Sequence, residues 1–502
     1  MKQVCEEVKI KNSRKAGILM PIFSLPSNYG IGTLGKEAYK FVDFLVDAKQ
    51  TYWQILPIGQ TSYGDSPYQT FSSYAGNPYF IDLDLLVEDK LLSNNDLRYI
   101  KVSNENYIDY KYLFDTRFVI LYKAYINGIN KYKKEFEEFI NDNYYLKEYA
   151  LYMAIKENFD MKSWLEWPDD DIRKRESNAL NKYKTKLKDR VEFYEFIQFL
   201  FFKQFNELKN YMNTKGIKLI GDIPIYISID SCDCWLNPEY FELDENYIPK
   251  QVSGVPPDYF TADGQLWGNP IYNYNRMKQD GYKWWIDRVG AASKIYDVIR
   301  IDHFRGFESF WSVPYGDKTA KNGKWVKGPN MDLLNILKNW FYNVDFISED
   351  LGYHTEDVQK MLDDFGFPGM KVLEFGFDSR EQSDHAPHQI KENYVCYLGT
   401  HDNSTIIGWL TAADKKDVDY ALDYLGLNST DNFNWQMIKT GMMSLANTFI
   451  CQIQDYLGLD DSARINTPGT LGNNWKWRIK KNVLTNKLAK KIAELTCMYG
   501  RE

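Results

Sequence analysis

The stretch VIRIDHFRG, residues 298–306, decides how this chain is read. Val298, Ile299 and Ile301 are β-branched and apolar, the make-up of a short buried strand. The run then meets Asp302, His303 and Arg305 and stops at Gly306. A dry strand that ends abruptly in an acid, an imidazole and a guanidinium suits a strand delivering chemistry at its tip. The same nine residues also fit a strand end with solvated charges and one ion pair. The rest of the chain chooses between the two.

Upstream, 16–21 reads as a short apolar strand, and 34–48 as a helix with Ala38, Phe41, Val42, Leu45 and Val46 on one face. A second strand, 52–56, is closed by Pro57, and this βαβ opening predicts a parallel sheet. IKLIGDI at 217–223 is the third strand; a helix over 279–294 leads to the fourth at 297–302. Downstream, 344–348 is the fifth and ends at Glu349 and Asp350. A helix over 355–365 precedes the sixth strand, 370–373. The seventh, 394–398, ends in Gly399, Thr400, His401, Asp402 and Asn403. Two or three helices fill 403–447, and 448–453 is the eighth strand. Eight short strands, mostly separated by helices, predict an α/β fold of the (β/α)8 TIM-barrel type rather than an open sheet.

Three segments interrupt that rhythm. GQTSYGDSPYQTFSSYAGNPYF, 59–80, is a long polar loop with Tyr68 at its middle, and loops of this length are often functional. Residues 81–216 turn rich in Lys, Glu, Asn and aromatics, with helical periodicity around 114–128, 145–159 and 191–213. They read as a helical insertion subdomain. A loop-rich, ring-rich insertion with little regular structure spans 228–275, after the third strand, and contains SGVPPDYFTADGQLWGNPIY at 253–272. The expected organisation is one catalytic barrel over 1–502, with its insertions at the C-terminal mouth.

Composition narrows the partners. The 502 residues are 44% hydrophobic and 26% charged, ordinary for a globular protein. A formal net charge of -8 and the lack of a basic block argue against nucleic acid and anionic membranes. Six cysteines, at 5, 232, 234, 396, 451 and 497, fit neither a zinc site nor a disulfide framework. The charged N-terminus lacks the apolar core of a signal peptide, and no apolar run approaches the roughly 18 residues of a membrane span. The expectation is a cytoplasmic protein, a monomer or weak homodimer. The 38 Tyr, 29 Phe and 14 Trp favour sugar as a ligand, because aromatic faces stack on the C–H faces of sugar rings as well as filling cores. Five histidines, with a lone HxxH at His385 and His388, make a poor metal set, so neither a metal nor another cofactor is expected.

The acids then become informative. Asp222, Asp302, Glu349 and Asp402 end the third, fourth, fifth and seventh predicted strands. In a (β/α)8 barrel these ends converge on one mouth. Converging carboxylates are costly unless they bind a metal, sit beside cations, or have pKa values split for acid/base work. The split fits glycosyl transfer, which uses one carboxylate nucleophile and one protonated acid.

RIDHFRG (300–306), EDLG (349–352), GTHDN (399–403) and GDIPIY (221–226) resemble the four signature regions of the α-amylase clan. The variants look like the amylomaltase or disproportionating-enzyme branch, glycoside hydrolase family 77. GDSPYQTFSSYAGNPYFID, SGVPPDYFTADGQLWGNPIY, GFPGMKVLEF and RINTPGTLGNNWKWR are similar to that family's own segments, and the likeness runs from about residue 16 to 480. It leaves no length for the C-terminal β-sandwich usual in α-amylases. Two small departures are Ile347 and Ser348 before EDLG, and GPN at 328–330 where GPG is common.

The resemblance implies a 4-alpha-glucanotransferase acting on maltooligosaccharides and on glucans from starch or glycogen. It implies Asp302 as nucleophile, Glu349 as acid/base, and Asp402 as a third carboxylate gripping sugar hydroxyls. Arg300, two residues back on the same strand face, would keep Asp302 ionised. His303 and His401 look like sugar-hydroxyl ligands and Asp222 like a supporting acid. Tyr68 would stack beneath the sugar. Asp258, Gln265 and Trp267 would line the groove, with Tyr259 and Phe260 clamping a glucan. A lid of rings that excludes water favours transfer. A retaining α-glucan hydrolase and a non-catalytic glucan-binding barrel are the alternatives.

Overall fold

The computed structural model describes residues 14–62, 64–102, 104–257, 261–352 and 354–502. Twelve strands lie among them: β1 Lys15–Leu19, β2 Tyr52–Gln54, β3 Lys218–Pro224, β4 Gln251–Val255, β5 Gln265–Pro270, β6 Val298–Asp302, β7 Ser309–Pro314, β8 Lys324–Lys327, β9 Asp345–Ser348, β10 Gly369–Val372, β11 Tyr394–Tyr397 and β12 Thr448–Gln452. Eight of them form one all-parallel sheet in the order β10-β11-β12-β1-β2-β3-β6-β9. Read as a ring, that is chain order. The seam between β9 and β10 is drawn shut where the Ser348 N–H donates to the Pro368 carbonyl at 2.8 Å and the Met370 N–H to the Asp350 carboxylate at 2.7 Å. The predicted α/β barrel is therefore the observed architecture, and its eight strands fall within a few residues of their expected places.

Strand alternation explains how acids arrive at the mouth. Side chains point alternately to opposite faces. Val298 belongs to the small apolar cluster inside the barrel, together with Leu19, Ile220, Ile347, Met370, Val372, Val395, Tyr397 and Ile450. Ile299 and Ile301 belong instead to the large cluster between strands and helices. Arg300 and Asp302 therefore follow Val298 up the lumen. By the same alternation Asp222 follows Ile220, and Glu349 follows Ile347. Gly221 is needed for close approach, since a Cβ there would lie 2.1 Å from the Tyr296 ring.

The insertion over 81–216 is helical. Its long helix, Lys188–Thr214, buries Phe193, Phe196, Ile197, Leu200 and Phe201. The Gln198 side chain both accepts from the Gly76 N–H (2.8 Å) and donates to the Gly76 carbonyl (2.9 Å). The helix thus anchors the 59–80 loop that carries Tyr68. No helix among the described residues is long and apolar enough to cross a membrane.

Two readings are corrected. The segment 228–275 is more regular than expected: β4 and β5 lie in it and join β7 and β8 in a four-stranded antiparallel sheet, order β5-β4-β7-β8. Of the two partners of β4, β5 lies in the same segment, but β7 comes from beyond the next barrel strand, so no local pattern announces the four-stranded sheet. The helix expected over 279–294 begins later: a separate short helix, Tyr274–Gln279, precedes it, and it runs as Lys283–Ile295. The chain turns left-handed at Gly281 (φ 73°) and Tyr282 (φ 60°), which ends the first and starts the second.

Candidate active site

Four strand ends meet at the mouth. Arg300 is buried, and its Nη1 donates to both Asp222 Oδ2 (2.6 Å) and Asp302 Oδ1 (2.9 Å). One guanidinium thus compensates two carboxylates from neighbouring strands, which burial would otherwise make expensive. The Asp302 side chain keeps 28% exposure, enough to face a ligand. Burial pushes its carboxyl up, Arg300 pulls it down, and Asp222 and Asp402 push it up again, leaving it near about 6.

Glu349 stands just beyond β9. Its Oε2 accepts from the His303 N–H (2.6 Å) and its Oε1 from the Leu351 N–H (2.8 Å). Burial and the charge on Asp302 push Glu349 up to about 8, outweighing Arg300 and these two bonds, which favour the ionised form. Burial acts on both, and the direct Arg300 contact opposes it most at Asp302, so Glu349 holds its proton more tightly than Asp302.

A hydrogen-bonded chain runs along the other wall. The Tyr68 hydroxyl donates to Asp222 Oδ2 at 2.8 Å and meets His401 Nε2 at 2.9 Å. Its one proton is spent on Asp222, so His401 must donate through Nε2–H. The Tyr68 and His401 rings stack 5.3 Å apart at 20°, and Trp475 packs 5.9 Å from each. His401 Nε2 also lies 3.4 Å from Asp402 Oδ2. Burial pushes the Asp402 carboxyl up, but His401, Asn466 and Arg300 more than offset it and hold it down near about 2. Asp402 therefore stays charged while Glu349 stays protonated.

His303 sits in a left-handed turn (φ 51°) directly after Asp302 and meets the Trp267 ring edge-on at 4.7 Å. Burial, then the nearby Arg305, pushes its imidazole down to about 3, so it is neutral and suited to hydrogen bonding rather than to carrying charge. Gln265 accepts from the Trp267 indole N–H at 3.2 Å.

The structure thus brings together Asp302, Glu349, Asp402, Asp222, Arg300, His401 and Tyr68 by contact or charge, and Trp267, Gln265 and His303 beside them. Asp258, Tyr259 and Phe260 lie outside the described residues. Sequence reading passed over Arg464 and Asn466, which hold Asp402 from below: the Asn466 amide donates to Asp402 Oδ1 at 2.6 Å, and Arg464 to the Asp402 carbonyl at 2.6 Å. Their only signal was their place in RINTPGTLGNNWKWR. Nearby, Glu374 and Asp455 are buried acids with one oxygen each lacking a partner.

A charged nucleophile candidate, a protonated acid and a third ionised carboxylate in one ring-walled mouth can perform substitution at a carbon bearing a poor leaving group. The glycoside hydrolase family 77 model, described as 4-alpha-glucanotransferase, matches residues 20–485. A 4-alpha-glucanotransferase of Clostridium butyricum is 49% identical over 486 residues, covering 96% of this chain and 100% of that protein. Among solved structures, an amylomaltase from Streptococcus agalactiae in complex with acarbose superposes with a TM-score of 0.95 at 41% identity, covering 97% of this chain and 99% of that one. An amylomaltase from Corynebacterium glutamicum shares the fold, with a TM-score of 0.79 at 17% identity over 98% of this chain and 76% of that one.

Proposed function

The chain belongs to the 4-alpha-glucanotransferases of glycoside hydrolase family 77, and from that premise we propose a retaining double displacement on 1,4-alpha-glucans with Asp302, Glu349 and Asp402 as catalytic residues. An Asp302 oxygen attacks the anomeric carbon. The bond from that carbon to the glycosidic oxygen breaks, and the Glu349 proton goes to the departing 4-oxygen. The glucan is then held as an ester on Asp302. The 4-hydroxyl of an acceptor glucose or glucan gives its proton to the Glu349 carboxylate and attacks the same carbon. Asp302 leaves as a carboxylate, and configuration is retained after two inversions.

The observation that carries this reading is the split between two neighbouring acids. Arg300 opposes burial at Asp302, while burial and Asp302 itself keep the proton on Glu349. Asp402 stays ionised and keeps one oxygen for sugar hydroxyls that tighten their bonds in the transition state. His303 and His401 bind further hydroxyls, and Tyr68 supports the sugar ring. Trp267 and Gln265 line the groove and exclude water, which favours a sugar as the second nucleophile.

Maltotriose is the test substrate, with maltooligosaccharides and starch- or glycogen-derived glucans as the natural class. Chain-length analysis should give glucose together with a ladder of oligomers longer than the input, and no net rise in reducing ends. Rising reducing ends with nothing longer than maltotriose would make the protein an α-glucan hydrolase. Unchanged maltotriose, bound but not turned over, would make it a non-catalytic barrel.

A further inference from the structure

The tripeptide Arg464–Ile465–Asn466 clasps the segment His401 to Ser404 through four hydrogen bonds, and a fifth braces the tripeptide itself. The Asn466 N–H donates to the His401 carbonyl at 3.1 Å, and its side-chain amide donates to Asp402 Oδ1 at 2.6 Å. Arg464 donates through Nη2 to the Asp402 carbonyl (2.6 Å), through Nη1 to Ser404 Oγ (3.0 Å) and through Nε to the Asn466 carbonyl (2.8 Å). Ile465, between them, is sunk in the core, and its carbonyl accepts from the Trp475 N–H at 2.7 Å. The clasp is thus tied to the same Trp475 that packs on Tyr68 and His401.

A carboxylate can only accept, so the Asn466 amide must turn its NH2 to Asp402. That choice has a consequence for the second oxygen. With Oδ1 taken, the groove is served by Oδ2, which lies 3.4 Å from His401 Nε2. The Asp402 side chain keeps 43% exposure, so without a fixed partner it would be free to rotate between orientations. We propose that Asn466, seated by Arg464, is the positioning residue for Asp402, fixing its rotamer so that one defined oxygen meets the sugar. This rests on the assignment of Asp402 as the carboxylate that grips the reacting sugar. The hydrogen bond from Asn466 is also one of the forces that hold Asp402 ionised.

The role makes a prediction that simple structural support does not. In Asn466→Asp a second carboxyl takes the place of the amide, in contact with Asp402. Two carboxylates so close cannot both ionise, and when they share a proton the shared hydrogen bond restores the link. The variant should recover as pH falls, whereas Asn466→Ala has nothing to protonate.

The experiment measures kcat and KM for maltotriose disproportionation in wild type, Asn466→Ala, Asn466→Asp and Asp402→Ala, with thermal melts as the folding control. Asn466→Ala should lose about 10- to 100-fold in kcat with KM changed by no more than about threefold, the pattern of a misplaced group that acts in the transition state. The ratio of Asn466→Asp to Asn466→Ala should rise about tenfold between pH 8 and pH 5, a ratio in which the titration of Asp302 and Glu349 cancels. A kcat for Asn466→Ala within about twofold of wild type, or a flat ratio, overturns the proposal. If Asn466→Ala does not fold, the Asn466→Asp to wild-type ratio is read instead, and flatness there overturns it equally. Full activity in Asp402→Ala would remove the underlying reading, whereas an inactive Asp402→Ala beside an active Asn466→Ala removes this inference alone.

Discussion

Replacing Arg300 with Gln should move the acid limb of the activity profile, and the structure gives the size of the move. Arg300 Nη1 is the cation that both Asp222 and Asp302 contact. Burial already pushes Asp302 up to about 6, and Arg300 is the largest force opposing it. An adjacent arginine typically lowers an aspartate by about 1–3 pKa units, so losing it should carry Asp302 from about 6 to about 8. Glu349, at about 8, sets the alkaline limb, because it must hold its proton. On the proposed roles, limbs at about 6 and 8 put about 80% of the wild-type enzyme in the active protonation state at pH 7. With the acid limb moved to about 8, that share falls to about 8% at pH 7, a tenfold loss. The same arithmetic gives a deficit of about 50-fold at pH 6 and no more than about twofold at pH 8, because Arg300 also lowers Glu349 and its loss raises the alkaline limb as well. The assay is glucose release from maltotriose across this range, with kcat/KM compared at each pH. A deficit that does not change with pH, or an acid limb still near 6, would show that Arg300 does not set the ionisation of Asp302.

Three further outcomes follow from the same geometry. Glu349→Gln should lose about 10²- to 10⁴-fold in kcat and its alkaline limb together, measured in the same assay, because the amide cannot cycle a proton. Tyr68→Phe keeps the ring on His401 but removes the hydroxyl between Asp222 and His401; kcat should fall about tenfold while the melting transition shifts by no more than about 1 kcal/mol of stability. Asp455→Asn should stabilise the fold at alkaline pH. Burial raises Asp455 from 3.8 to about 7, so wild-type stability falls as pH climbs from about 4 through about 7, and the neutral amide escapes that loss. Its advantage, read from denaturation midpoints, should be near zero below about pH 4, grow up to about pH 7 and stay below about 4 kcal/mol.

The barrel was legible because each of its strands carries its own signal. Val298, Ile299 and Ile301 give way to Asp302 within a residue, and GDI and ISED repeat the switch from apolar to acid at the strand tip. Those ends converge whenever the strands are parallel and closed, so Asp222, Asp302 and Glu349 could be placed together without coordinates. Pairings that depend on distant segments could not. Strand β4 exists because Gly254 pairs with Trp311 and Leu266, and nothing in QVSGV says so. The left-handed turn at Gly281 and Tyr282 moves the start of the expected helix from 279 to Lys283. The Asn466 clasp is the same kind of omission: its partner lies 64 residues away, and a lone Asn in a Pro- and Gly-bearing loop reads as a turn residue.

What the chain does locally at 301–304 explains why the two acids keep different protons. The Glu349 N–H donates to the Ile301 carbonyl at 3.0 Å, and the Phe304 N–H returns to the Glu349 carbonyl at 2.8 Å. Between them the left-handed turn at His303 sends its N–H into the Glu349 carboxylate. Such a turn costs about 1–3 kcal/mol in a residue other than glycine, so it persists only where its surroundings insist on it. Here they do: Phe304 and Phe307 are buried beneath it, and Trp267 closes on the imidazole. Backbone bonds therefore fix the acid against the strand that carries Asp302, and neither long side chain has to find the other by rotation. Arg300 reaches Asp302 from the same strand, while Glu349 contacts the neighbouring strand's turn, not its cation. Asp302 is consequently the acid in contact with the guanidinium, and Glu349 is held by backbone donors with Arg300 acting from further off, so burial leaves the proton on Glu349, the order that the proposed nucleophile and general acid require.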